Sequence, residues 1–521
     1  MRIIILLFFL PNLLFAQLPD NWQHLDPEKD SLLGVSTFRA FEYLKDKKSN
    51  TVIVAIIDNG AELSHEDLQG QFWVNPNEIP GNNIDDDNNG YVDDINGWNF
   101  LGNSKGDNIK RETTELTRIF GALREKYSSR GLMLLNHKDS LEYIYYEKIK
   151  LLFEQELEKK QDEINFYNML LANYQKANQL LTEYFKKSDY SQEDLNSFSP
   201  SDKDLSFSRK FMLEMLANQL NQSKIEGIIL NLEQDLETRL NPSFSIREKI
   251  IGDNPDDLSD SIYGNNMVGA LSPYHGTGVA GTVGALWNNA GVNGIAKDVK
   301  LMVLRVLPNG DERDKDIALA IKYAIRNGAS IINASFGKLY SSHPEFVQDA
   351  IKEAENAGVL IVHAAGNDRK NNDSIPTFPT AYYADGKRAG NWLSVGASNA
   401  KDNENLVAFF SNYGKDAVDI FAPGVDIKSC VLGSNYELAS GTSVAAPVVA
   451  GIAAVLKSYY PILNANQLKE IIIQSAYHPH TMIVQKPGGI KVLVPFSSLS
   501  RFGGIANLYR AILLAEKEYQ N

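Results

Sequence analysis

Thr51-Val52-Ile53-Val54-Ala55-Ile56-Ile57 is an unbroken run of apolar and β-branched residues that ends at once in Asp58-Asn59-Gly60. A strand with one wet face alternates apolar and polar residues. This one does not alternate, so it reads as a strand covered on both faces, the state of a strand inside a parallel sheet. Shorter runs of the same kind recur at 301–306, 330–334, 359–363, 392–397 and 418–422. Helical patterns lie at 316–327, 345–357 and 442–459. Strands alternating with helices imply right-handed crossovers and a doubly wound parallel α/β sheet. Reactive groups in such sheets gather at the carboxyl ends of the strands, where Asp58 stands.

Residues 101–261 break that rhythm, being polar, rich in Lys and Glu and poor in glycine. Ile164, Tyr167, Leu171, Tyr174, Leu181 and Phe185 fall at helical spacing, and the stripe reads as internal core. Ser201 with Asp204 is expected to cap a second helix carrying Leu205, Met212, Met215, Leu216 and Leu220. The expected organisation is a leader at 1–16, a first catalytic segment at 17–100, a helical insertion at 101–261 and a second catalytic segment at 262–521. The last segment is expected to end in a hairpin, 482–485 with 490–494 around Lys486-Pro487-Gly488-Gly489, and a closing helix at 505–516.

The chain has 521 residues and a formal charge of -14, from 51 basic and 65 acidic residues. That balance argues against a nucleic-acid partner, whose phosphates call for basic patches. Arg2, the apolar run 3–15 and Ala16 read as a secretory leader, so the protein is expected in the periplasm or medium. No stable membrane anchor is expected, because the leader is short of a span and no other stretch is expected to cross a bilayer. The oligomeric state is left open. Cys430 is the one cysteine, so no internal disulfide forms, and its apolar surroundings read as those of an inert buried thiol.

Three glycine-flanked segments carry the chemistry: Asp58-Asn59-Gly60, His275-Gly276-Thr277-Gly278-Val279-Ala280-Gly281 and Gly441-Thr442-Ser443-Val444-Ala445-Ala446-Pro447. Taken alone, Ser443 reads as a helix cap, His275 as a structural histidine and Asp58 as a turn residue. Together they offer a nucleophile, a base and a carboxylate to orient the base. His65 is the rival histidine. Asn367, in Ala364-Ala365-Gly366-Asn367, ends another buried run, and its amide is placed to donate to an oxyanion.

These motifs resemble the subtilisin-like serine proteases, with the same Asp, His, Ser order. The resemblance spans roughly 40–100 and 262–475. It implies that Ser443 attacks a peptide carbonyl, His275 shuttles the proton, Asp58 orients the ring, and Asn367 with the Ser443 amide holds the oxyanion. It implies protein or peptide substrates lying as a strand beside Ser335-Phe336-Gly337 and residues 304–307, with Ala365 and Gly366 walling a side-chain pocket. Asn59 and Val444 replace the family's usual Thr or Ser and Met. Residues 17–57 leave no room for the inhibitory prodomain of many members, and the helical insertion is the expected substitute guard or folding aid. Activity is expected to fall as the imidazole protonates near pH 6–7. The competing reading is a catalytically silent binding protein that uses the insertion. An esterase or lipase would show a Gly-x-Ser-x-Gly elbow, which Ser443 lacks.

Asp85, Asp87, Asn89, Tyr91 and Asp93 alternate along one loop with a turn at Gly90 and are expected to hold a structural calcium ion. Asp253, Asp256 and Asp257 form a weaker candidate.

Overall fold

The computed structural model describes residues 18–127 and 137–519. The expected leader lies outside the described residues. Helix α1 (Thr37–Leu44) precedes β1 (Val52–Asp58), and β2 (Gly97–Asn99) follows. Six helices come next: α2 (Glu115–Tyr127), α3 (His137–Phe185), α4 (Gln192–Ser197), α5 (Lys203–Ala217), α6 (Gln222–Glu237) and α7 (Ile246–Ile250). Then come α8 (Tyr274–Gly284), β3 (Val299–Arg305), α9 (Asp314–Arg326), β4 (Ile331–Ala334), α10 (Pro344–Asn356), β5 (Leu360–Ala364), β6 (Trp392–Ser398) and β7 (Ile420–Pro423). Two short strands, β8 (Ile427–Val431) and β9 (Asn435–Ala439), lead into α11 (Thr442–Tyr459) and α12 (Ala465–Gln474). The strands β10 (Ile483–Gln485) and β11 (Leu493–Pro495) and the helix α13 (Leu508–Tyr519) close the described chain.

Seven strands form one parallel sheet in the order β2-β3-β1-β4-β5-β6-β7. Side chains alternate across a strand, so β1 feeds two cores. Val52, Val54 and Ile56 join α1, α8, α11, α12 and α13 on one face. Ala55 and Ile57 join α9 and α10 on the other. That two-sided burial is why the 51–57 run shows no polar alternation. β2 escaped the sequence reading because it is three residues long and begins with glycine.

α11 fills the first core from end to end. By length and composition alone it would cross a membrane, the one described helix to do so, but it is 83% buried inside the protein. The expectation that no stretch beyond the leader has that character is corrected here: the centre of a large core is as apolar as a bilayer.

α3 is 49 residues long, far longer than the stripe at 164–185 suggested, and packs against α2, α5 and α6. Two of the six stripe residues belong to the core. Ile164 and Leu181 are buried, whereas Tyr174 and Phe185 pack at the margin. α5 is capped by Asp202, whose carboxylate accepts from Leu205 N at 2.9 Å, rather than by Ser201 with Asp204. β10 and β11 pair antiparallel, with Val484 opposite Val494, so the connecting loop is longer than the four turn residues first read.

Candidate active site

Asp58 is the last residue of β1 and is fully buried. His275 is the second residue of α8, whose first turn is pressed onto the end of β1. A Cβ on Gly276 would lie 1.9 Å from the Gly60 carbonyl oxygen, so only glycine allows the approach. Asn59 closes the same joint, its side-chain oxygen accepting from Gly276 N at 2.9 Å. A residue with a reaching acceptor serves here in place of a hydroxyl.

The result is a hydrogen-bonded pair drawn from positions 217 residues apart: His275 Nδ1 lies 2.8 Å from Asp58 Oδ1 and 3.0 Å from Oδ2. A carboxylate only accepts, so Nδ1 carries the proton and Nε2 keeps its lone pair. The negative charge of Asp58 raises the His275 pKa above the ordinary imidazole value, against the opposing effect of burial. The His275 side chain keeps 41% of its surface, so the ring is reachable.

Ser443 stands at the amino end of α11. Pro447, four residues on, has no N–H to close the helical bond to the Ser443 carbonyl. Ser335 Oγ takes that orphaned carbonyl at 2.9 Å, and Asn333 donates to Ser335 at 2.9 Å. Ser335 is therefore a positioning residue for Ser443, and its hydroxyl is not free for a substrate. Val444 turns inward and packs with Trp22, Ala400 and Ile427.

Asn367 is oriented by its neighbours. Its Oδ1 accepts from Thr442 N at 2.9 Å and from Thr442 Oγ1 at 3.0 Å, which turns the amide NH2 the other way. Gly441 locates that group: a Cβ there would meet Ser443 Oγ at 2.9 Å and Asn367 Nδ2 at 3.6 Å. The serine hydroxyl and the amide donor thus share one small space.

A cavity of about 450 Å³ gathers Asp58, His275, Asn367 and Ser443 in its lining. No hydrogen bond joins Ser443 Oγ to His275 among the described residues. Phe336, Gly337 and Gly366 line the same cavity, as does Ser335. Ala365 does not. It is fully buried, with its carbonyl held by Asn372 and Asn412, and Ala364 takes its place in the wall. The opposite wall begins at Leu307 and runs to Glu312, rather than lying along 304–307, because Leu304 is committed to the core. A larger cavity, about 920 Å³, lies between α2, α3 and residues 242–245, 255–256, 313–314 and 342–343 and holds none of the four reactive residues. His65 is excluded as a rival: it is buried, with Nδ1 accepting from Asp67 N and Nε2 against the Asn435 carbonyl. Cys430 is buried against α8, and burial pushes its thiol pKa up.

The sequence model of the subtilase family matches residues 49–503.

The chain belongs to the subtilase family.

Among its relatives is a thermostable alkaline protease of Halalkalibacterium halodurans, 39% identical over 203 residues, which are 39% of this chain and 52% of that protein. A thermophilic serine proteinase of Bacillus sp. strain AK1 is 44% identical over 39% of this chain and 46% of its own length. Subtilisin Savinase of Lederbergia lenta is 36% identical over 39% of this chain and 70% of its own length. The chain thus spans about half the length of the first two. A solved protease structure from Pseudoalteromonas arctica has 30% identity and a TM-score of 0.36, with 46% of this chain and 70% of that one covered.

The acidic loop of this subtilase is built differently from its expected form. Glu78, Asp87 and Asp94 bring carboxylate oxygens within 4.8 Å of one another. Of the five expected ligands, only Asp87 belongs to this group. Asp85 accepts from Asn89 N and Gly90 N, and Asp93 accepts from Gly81 N and Asn83 N. Tyr91 is core, edge-on to Tyr323. Asn89 donates to Asp87 and Asp94 from the rim. Burial raises the Asp94 carboxyl to about 6. Glu78 was missed because it lies outside the loop repeat, and Asp94 because it falls off the alternate register. Asp253 is no metal ligand: Arg247 and Lys315 neutralise it at 2.7 and 2.8 Å. Asp256 faces His343 and Asp257 caps Ser259, so that group does not converge.

Proposed function

We propose that this subtilase is an exported endopeptidase that cleaves peptide bonds through Asp58, His275 and Ser443. The observation that supports the reading most directly is the Asp58–His275 hydrogen bond opening onto the cavity shared with Ser443. A peptide lies extended between residues 307–312 and 335–337. His275 Nε2 takes the Ser443 proton as Oγ attacks the carbonyl, and Asp58 stabilises the imidazolium that forms. Charge then develops on the carbonyl oxygen, where Asn367 Nδ2 and the Ser443 N–H donate. The protonated ring next delivers its proton to the leaving amine, and water repeats the sequence on the acyl-enzyme.

A fluorophosphonate probe tests the reading. Labelling at Ser443 that vanishes in Ser443→Ala is expected, and a folded protein that takes no label refutes it. Asn367→Ala is expected to lower kcat by about 10²–10³-fold with little change in KM, because the lost donor acts on the transition state. Steady-state kinetics on one peptide checks this, and a matching rise in KM would place Asn367 in substrate binding instead.

The Glu78, Asp87 and Asp94 oxygens fit a hard, oxygen-seeking cation such as calcium, which would neutralise three carboxylates crowded within 4.8 Å. A bound ion supplies stability to the 75–97 loop by mass action and no step of the reaction. Calcium at 100 times its Kd is expected to stabilise the fold by about 2.7 kcal/mol. Thermal melts with calcium and with chelator read this out, and Asp87→Asn is expected to abolish the difference.

A further inference from the structure

The cavity that holds Ser443 carries an excess of negative charge. Its lining includes the carboxylates Asp58, Asp311, Glu312 and Asp368 against Lys338 and the His275 ring. Asp58 is committed to His275, and Asp311 accepts from Glu115 N at 2.8 Å. Glu312 stands apart. It is 4% exposed, and its Oε1 is buried with no hydrogen-bond partner.

The backbone of Glu312, by contrast, is held firmly. Its carbonyl oxygen accepts from Lys338 Nζ at 2.9 Å and from Arg118 Nη2 at 3.2 Å. Neither cation donates to the carboxylate, although the charge of Lys338 offsets part of its burial. Lys338 is ion-paired with Glu115 at 3.0 Å and Asp314 at 2.9 Å, and Arg118 Nε donates to Glu115 at 3.1 Å. Arg313 pairs with Glu112 at 3.2 Å. Glu112, Glu115, Asp311, Glu312 and Asp314 therefore outnumber Arg118, Arg313 and Lys338. A buried carboxylate oxygen without a donor is costly. Burial raises the Glu312 carboxyl to about 7, which a paired cation would reverse.

We infer that Glu312 is a specificity-determining residue that selects a cationic side chain, lysine or arginine, in the bound peptide. The inference rests on reading the cavity as a peptide cleft. The arriving ammonium or guanidinium supplies the donor that Oε1 lacks and cancels part of the local excess. The grip of Arg118 and Lys338 on the main chain holds Glu312 in the cavity wall, so only its side chain has to turn toward the arriving cation.

Binding to Ser443→Ala protein separates this inference from the peptidase reading. The probes are N-acetylated octapeptides of alanine and glycine, each with a single lysine or a single glutamine moved through successive positions. Calorimetry at about pH 8.5 keeps the carboxylate ionised. At the matching position the lysine peptide is expected to bind about tenfold tighter than its glutamine partner. Glu312→Gln in the same background is expected to bring that ratio to about one, and Glu312→Asp to keep part of it. Equal affinities at every position overturn the inference, and so does a lysine preference that survives Glu312→Gln. If Glu312→Gln fails to fold, the ratio in the parent background together with Glu312→Asp decides the matter. Hydrolysis by the unsubstituted enzyme is scored separately. Cleavage without any lysine preference removes the role of Glu312 and leaves the peptidase reading intact. Lysine-selective binding without cleavage supports Glu312 and refutes that reading.

Discussion

Ser443→Ala is expected to lower kcat by about 10⁶-fold, the scale found in subtilisin when the nucleophile is removed. The geometry says why the loss is chemical and not structural. The Ser443 carbonyl, held by Ser335, and the inward packing of Val444 do not depend on the hydroxyl. Removing Oγ therefore deletes the attacking atom and leaves the amino end of α11 in place. The melting curve is expected to move by no more than about 0.5 kcal/mol. Single-turnover kinetics on a peptide, with calorimetry on the same sample, checks both parts. Residual activity near the wild-type level in a folded variant would remove Ser443 from the reaction.

Asp58→Asn is expected to cost about 10⁴-fold in kcat, for a different reason. Asp58 Oδ1 accepts from Asn59 N at 2.7 Å as well as facing His275. An asparagine keeps its oxygen on that side and places its NH2 where Oδ2 now lies, 3.0 Å from His275 Nδ1. The amide then donates to Nδ1, the ring proton moves to Nε2, and the base has no lone pair to offer Ser443. The pH profile carries a second signature. Asp58 raises the His275 pKa, so in the native protein kcat/KM falls on acidification through a midpoint above the ordinary imidazole value. Without the negative charge the imidazolium is less favoured, and the acid limb of the residual activity is expected to shift to lower pH. An unmoved limb would mean that His275 is not the titrating group.

The parts of the fold that could be read from sequence are those where the physics is local. The 52–57 strand and the 444–456 stretch of α11 are visible because burial on all sides leaves no charged or hydroxyl residue to interrupt them. The glycines beside Asp58 and His275 are visible because close backbone approach admits nothing else, as Gly276 against Gly60 shows. Ala365 was misplaced because a single register step decides which side of a strand end faces the cavity. The acidic loop was misread because the carboxylates that converge include Glu78, folded in from outside the repeat, and Asp94, off its alternate register. The Glu115, Arg118 and Lys338 cluster was invisible. Glu115 and Lys338 lie 223 residues apart, and no local pattern announces a pair that only the tertiary fold creates.

The strand order has a consequence for synthesis. β1 lies between β3 and β4, so neither hydrogen-bonding edge of the first strand has its neighbour until the ribosome has passed residue 299, and the second arrives only after 331. The nucleophile follows more than a hundred residues later, in the helix that fills the core. A nascent chain therefore carries this apolar segment unpaired until β3 has been made, and such long-range pairing is slow to form. The same delay means that Asp58, His275 and Ser443 can meet only once α11 has been made.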